Sequence, residues 1–431
     1  MMKCLKPLRL AAAIALVQYT ALVPAQDATP PGNAVNLAAV LRLAREVSPR
    51  LAIERQSLAG AEANRITAGA LPNPSVSYGR FRPRSGGATL FDGNQQEQVT
   101  FDVPLLIAGQ RGARVDKADL EIESARARIA SGASTLSAEA GSAFVMLQAA
   151  QDKLSLFGAT RDELTKLRNI VSGRAESGMA SRYDLTRMEV ELSSLQSKVE
   201  EARADVADRS GQLAALLGLP GWKPTASGIM APLPVPATLL AQPRAQAGAS
   251  PALQSALIEE KVARSGIDVA RRERWPVPSV SVGRSWTSEP YGSANFVGFS
   301  VEIPFLDSRR GPLARAESEA SAATLRRELA EAEVAANMER YAGVIAARQN
   351  ALQRHEQDAA HRLPALKSMA EDAYRLGRGT VFDLLDATRS RHEIQQARID
   401  LLSALIDAQL RLLALGGEIE KIAPLATAGN R

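Results

Sequence analysis

The stretch Leu71-Pro72-Asn73-Pro74-Ser75-Val76-Ser77-Tyr78-Gly79 returns as Trp275-Pro276-Val277-Pro278-Ser279-Val280-Ser281-Val282-Gly283. Each copy is Pro-flanked and then alternates apolar and small polar residues, the period of a β-strand with two unlike faces. The recurrence extends in both directions. Ser48-Pro49 returns as Ser250-Pro251, Val103-Pro104-Leu105 as Ile303-Pro304-Phe305, and Gly178 with Asp184-Leu185 as Gly377 with Asp383-Leu384. The offsets lie between 199 and 204 residues and keep one order, so the chain is one unit written twice. The repeats span 26–219 and 251–417, joined by a Pro- and Ala-rich linker at 220–250 and followed by a tail at 418–431.

Each repeat shows the same succession of elements. An amphipathic helix (Val35 to Ala70; Pro251 to Arg274) leads into two strands, at about 75–104 and 279–305. Long helices follow, over 113–217 and 313–415, broken by a Gly-centred turn. In the first repeat Val115, Ile122, Ile129, Leu136, Ala143, Ala150, Phe157, Leu164 and Val171 fall seven apart. Leu185, Leu192, Val199, Val206 and Leu213 resume that period after the turn, with Arg209 an exception on the second seam position. A strict heptad gives left-handed coiled-coil packing. Ala113 to Ser177 would make about 98 Å of helix, far more than a compact domain uses. Pro364 predicts a kink in the second repeat.

Of the 18 aromatic residues, nine lie in the two strand regions, which hold 57 of 431 residues. Val297, Phe299, Val301 and Ile303 alternate with Phe296, Gly298, Ser300 and Glu302, as membrane strands of about 9–11 residues do. Four strands cannot close a barrel, so a membrane reading requires several chains to share one. Arg80 and Arg284 share the parity of Val76 and Val280. Either a bulge at Gly79 and Gly283 turns them inward, or they sit at the headgroup level.

Composition narrows the classes further. The net charge of +5 gives no argument for nucleic acid, and the single Cys4 excludes a disulfide scaffold and a Cys-based metal centre. Lys3, Lys6 and Arg9 precede the apolar run Leu10–Val17, and Val23-Pro24-Ala25 supplies a cleavage pattern, so 1–25 reads as a signal peptide. Cleavage there leaves no N-terminal Cys for lipidation. No nucleophile–base set or cofactor loop is present, so neither an enzyme nor a cofactor is expected; Gly109-x-x-Gly112 lacks the ending of a phosphate loop. His355, His361 and His392 have no partner at helical spacing and read as solvent-facing.

Together these features resemble the TolC-type outer-membrane efflux proteins over nearly the whole mature chain. Tyr374-Arg-Leu-Gly-Arg-Gly-Thr-Val-Phe-Asp-Leu-Leu-Asp-Ala387 resembles the family's second-repeat tip. Leu71-Pro-Asn-Pro74 and Gly109-Gln-Arg-Gly-Ala-Arg114 resemble the heavy-metal, CzcC-like and CusC-like branch. The resemblance implies a mainly α protein with transmembrane β: a homotrimer, a shared twelve-stranded barrel in outer-membrane lipid, and a periplasmic tunnel docking an adaptor and an inner-membrane pump.

At the tip, Asp383 and Asp386 share one helix face, and a trimer would place six carboxylates about one axis. The resemblance implies a cation-selective aspartate ring at these positions. Thr380 with Asp383 and Ser181 with Asp184 also read as capping boxes, whereas Asp386 lies beyond the box. Its first-repeat counterpart is Arg187. Gly178 and Gly377 are the repeat turns. Tyr374 and Asp184 match the family's gate residues, although Tyr374 also suits coiled-coil packing. The family's gate Arg is replaced by Gly379; either Arg378 substitutes for it or the tip is held by fewer links.

The expected function is the exit channel of a pump–adaptor–channel efflux system for heavy-metal cations. Alternative cargoes are drugs, solvents or type I secreted proteins. A periplasmic adaptor would carry a single hairpin, and a structural coiled coil would have no use for the strand pairs.

Overall fold

The computed structural model describes residues 32–82, 95–287, 292–304, 306–358 and 360–422. The signal peptide expectation, Phe305 and most of the tail lie outside them.

A short strand β1 (Ala34–Val35) precedes helix α1 (Leu37–Glu46), capped by the Asn36 side chain accepting from Ala39 N at 2.9 Å. Helix α2 (Pro49–Gly69) then begins, so the single helix expected over 35–70 is two. The cause is Pro49, which has no N–H to continue α1 and sits comfortably in a first helical turn. Strands β2 (Ser75–Phe81) and β3 (Gln96–Pro104) lead to α3, an unbroken helix of 67 residues (Gln110–Glu176), about 100 Å long. Its N-cap is Gly109 at φ 72°, which makes the strand-to-helix corner. Helix α4 (Arg182–Leu217) returns alongside it.

The second repeat follows the same plan through α6 (Pro251–Arg272), β5 (Ser279–Thr287), β6 (Gly292–Ser300), α7 (Arg310–Asp358), α8 (Leu363–Arg375) and α9 (Val381–Leu415). Pro364 does more than kink this arm. A 3-10 turn at Ala360–Arg362 separates α7 from α8, which starts afresh with Pro364 in its first turn. Val301 to Pro304 continue past the last strand without sheet pairing, so β6 is shorter than predicted.

The segment between the repeats is packed rather than loose. Its strand β4 (Thr225–Ala226) pairs in parallel with β1, and it adds a short helix α5 (Ala237–Ala241) and a 3-10 turn (Arg244–Ala249). Trp222, Met230, Leu239 and Ala247 enter the main hydrophobic core with residues of α1, α3, α4, α7 and α9. Three glutamines fasten this segment. Gln409 Oε1 accepts from Leu233 N at 2.8 Å, Gln151 Oε1 from Ala226 N at 3.0 Å, and Gln148 Nε2 donates to Gly228 O at 2.9 Å. Each satisfies a backbone group that its irregular path would otherwise strand. Gly218, at φ 71°, closes α4 where Pro49 crosses it, and a Cβ there would meet Pro49 Cδ at 2.6 Å.

The strands form one antiparallel sheet in the order β2-β3-β5-β6, paired one to one without a bulge. Val76, Phe101, Val282 and Val297 stand in a single cross-strand row, with Val103, Val280 and Phe299 in the row nearer the helices. Ser77, Thr100 and Gly283 stand on the opposite face, where the Phe296 ring covers Gly283. The apolar face is bare: Val297 is 79% and Phe299 69% exposed. The outer edges of β2 and β6 are also unpaired within the described chain. Among the described residues no helix is long and apolar enough to cross a membrane.

Candidate functional site: the helical tip

The two repeat turns have the same backbone. Gly178 (φ 73°) and Gly377 (φ 71°) adopt the left-handed conformation that ends a helix. Met179 N donates to Arg174 O at 2.7 Å and Arg378 N to Ala373 O at 2.9 Å, closing the two corners. Each following helix carries a capping box. Ser181 Oγ accepts from Asp184 N at 3.0 Å, and Ser181 N donates to Asp184 Oδ2 at 3.2 Å. Thr380 Oγ1 accepts from Asp383 N at 3.3 Å, and Thr380 N donates to Asp383 Oδ2 at 2.8 Å. Hydrogen bonds from the Thr380 backbone and hydroxyl hold the Asp383 carboxyl below the usual carboxylate range. Asp386 lies outside the box on the same helix and is exposed. Its charged neighbour is Arg389, which is paired with Glu191 of α4 at 2.9 Å.

Side chains make the two repeats unequal where the backbone does not. Arg187, the counterpart of Asp386, lies over the Phe382 ring at 5.0 Å and donates to the Tyr183 hydroxyl at 3.2 Å. Tyr374 is 7% exposed and packs with Leu164, Leu167, Val171, Met188 and Leu384 in a second core near the tip. Its hydroxyl is buried and without a partner among the described residues. No hydrogen bond joins the Tyr374 hydroxyl to Asp184 within the described chain, where Asp184 Oδ2 accepts from the Ser181 backbone N–H and hydroxyl. Desolvation pushes the Tyr374 phenol above its ordinary pKa; the Arg174 charge opposes this rise and the Asp184 charge adds to it.

Arg378 is exposed, and its side chain has no partner among the described residues. The cation that meets Tyr374 comes from the other repeat. Arg174 Nη1 donates to Tyr374 O at 2.6 Å, and its guanidinium lies 4.8 Å from the ring centroid. No sequence signal points to this pair, because the two residues are 200 apart and the heptad pattern treats Arg174 as an ordinary surface position. A second link lies farther up α8. Glu163 of α3 pairs with Lys367 at 3.3 Å and with Arg391 of α9. Charged side chains therefore tie helix α8 to α3 at two points, while α8 buries only Leu363 and Tyr374 itself.

The histidine expectation fails at His392. That ring is 9% exposed, lies 4.7 Å from the Phe157 centroid and shares a 3.2 Å hydrogen bond with Thr160 Oγ1. Burial, with Lys198 nearby, lowers its pKa. Helical spacing alone misses it because His392 is covered by α3, a helix more than 200 residues away in sequence. Among the described residues no group of three metal-ligating side chains converges. The arginines before β5 join the strand-to-helix corners together: Arg272 donates to Ala108 O at 3.0 Å and Arg274 to Ser308 O at 3.2 Å.

Comparison with known proteins fits this architecture. The cobalt-zinc-cadmium resistance protein CzcC of Cupriavidus metallidurans is 24% identical over 285 residues, 65% of each chain. The nickel-cobalt-cadmium resistance protein NccC of Alcaligenes xylosoxydans is 26% identical over 328 residues, covering 72% of this chain and 69% of that one. The match thus spans just under two thirds of CzcC. Among solved structures, the outer membrane protein VceC of Vibrio cholerae superposes with a TM-score of 0.73 at 18% identity, over 89% of this chain and 97% of that one. The model of the outer membrane efflux protein family matches residues 40–219 and 244–418, one match per repeat, and the chain belongs to that family.

Proposed function

We propose that the chain is the outer-membrane exit duct of a pump–adaptor–channel efflux system, and that it works as a homotrimer. One observation carries this reading: a four-stranded sheet with a bare apolar face and two unpaired edges is fixed to a helix about 100 Å long. An open apolar sheet is unstable in water and impossible in lipid, where every backbone group needs a partner. Three copies joined edge to edge satisfy both conditions with twelve strands. The long helices then lie in the periplasm, where an adaptor and a pump meet the tip. Purified protein should migrate as a heat-sensitive trimer and conduct ions in planar bilayers. A monomer without conductance would overturn the reading.

The cargo we infer is heavy-metal cations, from the resistance that names CzcC and NccC. Asp386 supports it: exposed, free of the cap and one per chain near the tip, it supplies negative charge where cations would enter. A strain lacking the gene should become sensitive to cobalt, zinc, cadmium or nickel salts. Sensitivity to dyes and antibiotics alone would make the cargo organic and leave the duct standing. At the gate, Arg174 rather than Arg378 holds Tyr374, and with it the end of α8 against α3, an arrangement that neither alternative for the missing family Arg included.

A further inference from the structure

Arg284 stands on the apolar face of the sheet, in one cross-strand row with Tyr78, Val99 and Asn295. The next row outward, at the end away from the helices, contains Arg80, Glu97, Trp286 and Ser293. Because the pairing is one to one, no bulge turns either arginine to the polar face. Arg284 therefore projects to the same side as Val282 and Val280, the latter four residues or about 13 Å along the strand.

The two arginines are not equivalent. Arg80 is neutralised by Glu97 at 3.3 Å and also donates to Gln95 at 2.7 Å. Arg284 has no carboxylate partner among the described residues. It donates to the Ser293 hydroxyl at 2.9 Å and lies 5.7 Å from the Trp286 ring centroid. An unpaired guanidinium on a lipid-facing strand is costly at the membrane midplane and nearly free of cost at its rim. Trp286 beside it, and Tyr78 two strands away in the same row, are aromatic residues of the kind that line membrane interfaces. Guanidinium is also the side chain suited to grip a phosphate by two parallel hydrogen bonds.

We propose that Arg284, steadied by Trp286, is a binding site for the phosphate groups of outer-leaflet glycolipid, one site per chain. The proposal rests on the membrane reading of the sheet given above. The test uses full-length trimer in mild detergent, incubated with bis-phosphorylated lipid A or with lipid A stripped of phosphate, and counts lipids retained per trimer by native mass spectrometry. Arg284→Gln should retain about two- to fivefold less phosphorylated lipid A, in line with the loss of one exposed ion pair. Arg284→Lys should retain an intermediate amount, and Arg80→Gln as much as wild type. Phosphate-free lipid should be held equally by wild type and Arg284→Gln.

Equal retention of phosphorylated lipid by wild type and Arg284→Gln, in a variant that still forms conducting trimers, would overturn the proposal. So would displacement of the lipid by inorganic phosphate alone, which would mark a free-anion site. If wild-type protein neither retains lipid nor conducts, the membrane reading falls and this site with it.

Discussion

Replacing Arg174 with Ala removes the cross-repeat latch and leaves both repeat turns intact. The guanidinium donates a charge-assisted hydrogen bond of 2.6 Å to Tyr374 O and lies 4.8 Å from the centroid of the tyrosine ring. Hydrogen bonds to charged groups contribute about 1.5–3 kcal/mol and an exposed cation–π contact about 0.5–1 kcal/mol. Arg174 is only half-buried, so the lower end applies. A loss of about 2 kcal/mol raises the ratio of released to latched α8 about 30-fold. Tyr374 O keeps one donor, Gly377 N at 3.1 Å, so the variant does not leave the carbonyl stranded. Single-channel recording of purified trimers should show Arg174→Ala spending far more time in a high-conductance state, with helical circular dichroism unchanged. Arg378→Ala should behave as wild type because its side chain has no partner among the described residues. Tyr374→Phe should also be near wild type, since the hydroxyl it deletes is likewise unpartnered. Wild-type gating in a folded Arg174→Ala trimer, or opening by Arg378→Ala, would refute the latch.

Three further outcomes follow from the same structure. Asp386→Asn should reduce cation-over-anion selectivity, read as a shift in reversal potential under a salt gradient, whereas Ser181→Ala should cost about 1 kcal/mol of stability through the lost cap and leave selectivity alone. The Glu260 side chain of α6 is 8% exposed and holds Arg264 at 2.6 Å, Arg327 at 3.0 Å and Thr324 Oγ1 at 2.7 Å. The Thr324 hydrogen bond, aided by the two arginines, lowers its folded pKa below the ordinary 4.5. Its contribution is therefore complete above pH 4.5 and disappears as pH falls through the lower folded value. Melting curves of wild type and Glu260→Gln should differ at pH 7 and converge in strong acid. Gly283→Val should abolish trimers on gels, because a Cβ would meet Phe296 Cζ at 2.3 Å and the Val99 carbonyl oxygen at 2.6 Å.

Much of the architecture is written in periodic signals. Heptads from Val115 to Val171 fall on α3, and the alternation of Val99, Phe101 and Val103 falls on β3. Both periods depend on neighbours in sequence, which is why they survive without a structure. Legibility stops where contacts join distant residues. Pro49 and Pro364 are visible in the sequence, yet whether a proline kinks or ends a helix depends on what packs across it. The linker has the composition of a loose connection, but three glutamines from α3 and α9 give its backbone partners. At the tip the turns and caps are legible because each lies within a few residues. The Arg174–Tyr374 contact is not, and neither is the burial of His392, because both depend on how α8 and α9 rotate against α3.

The unpaired edges of β2 and β6 have a consequence for genetics as well as for assembly. Under the trimer reading, no chain can complete its own sheet, so membrane insertion and oligomerisation become a single event whose rate depends steeply on local chain concentration. Newly exported chains would need an escort that shields those edges until partners arrive. A variant damaged on one edge only, that of β2 or that of β6, would still offer the other edge to wild-type copies. Such an allele should be dominant: with equal expression, only about one trimer in eight would be wholly wild type.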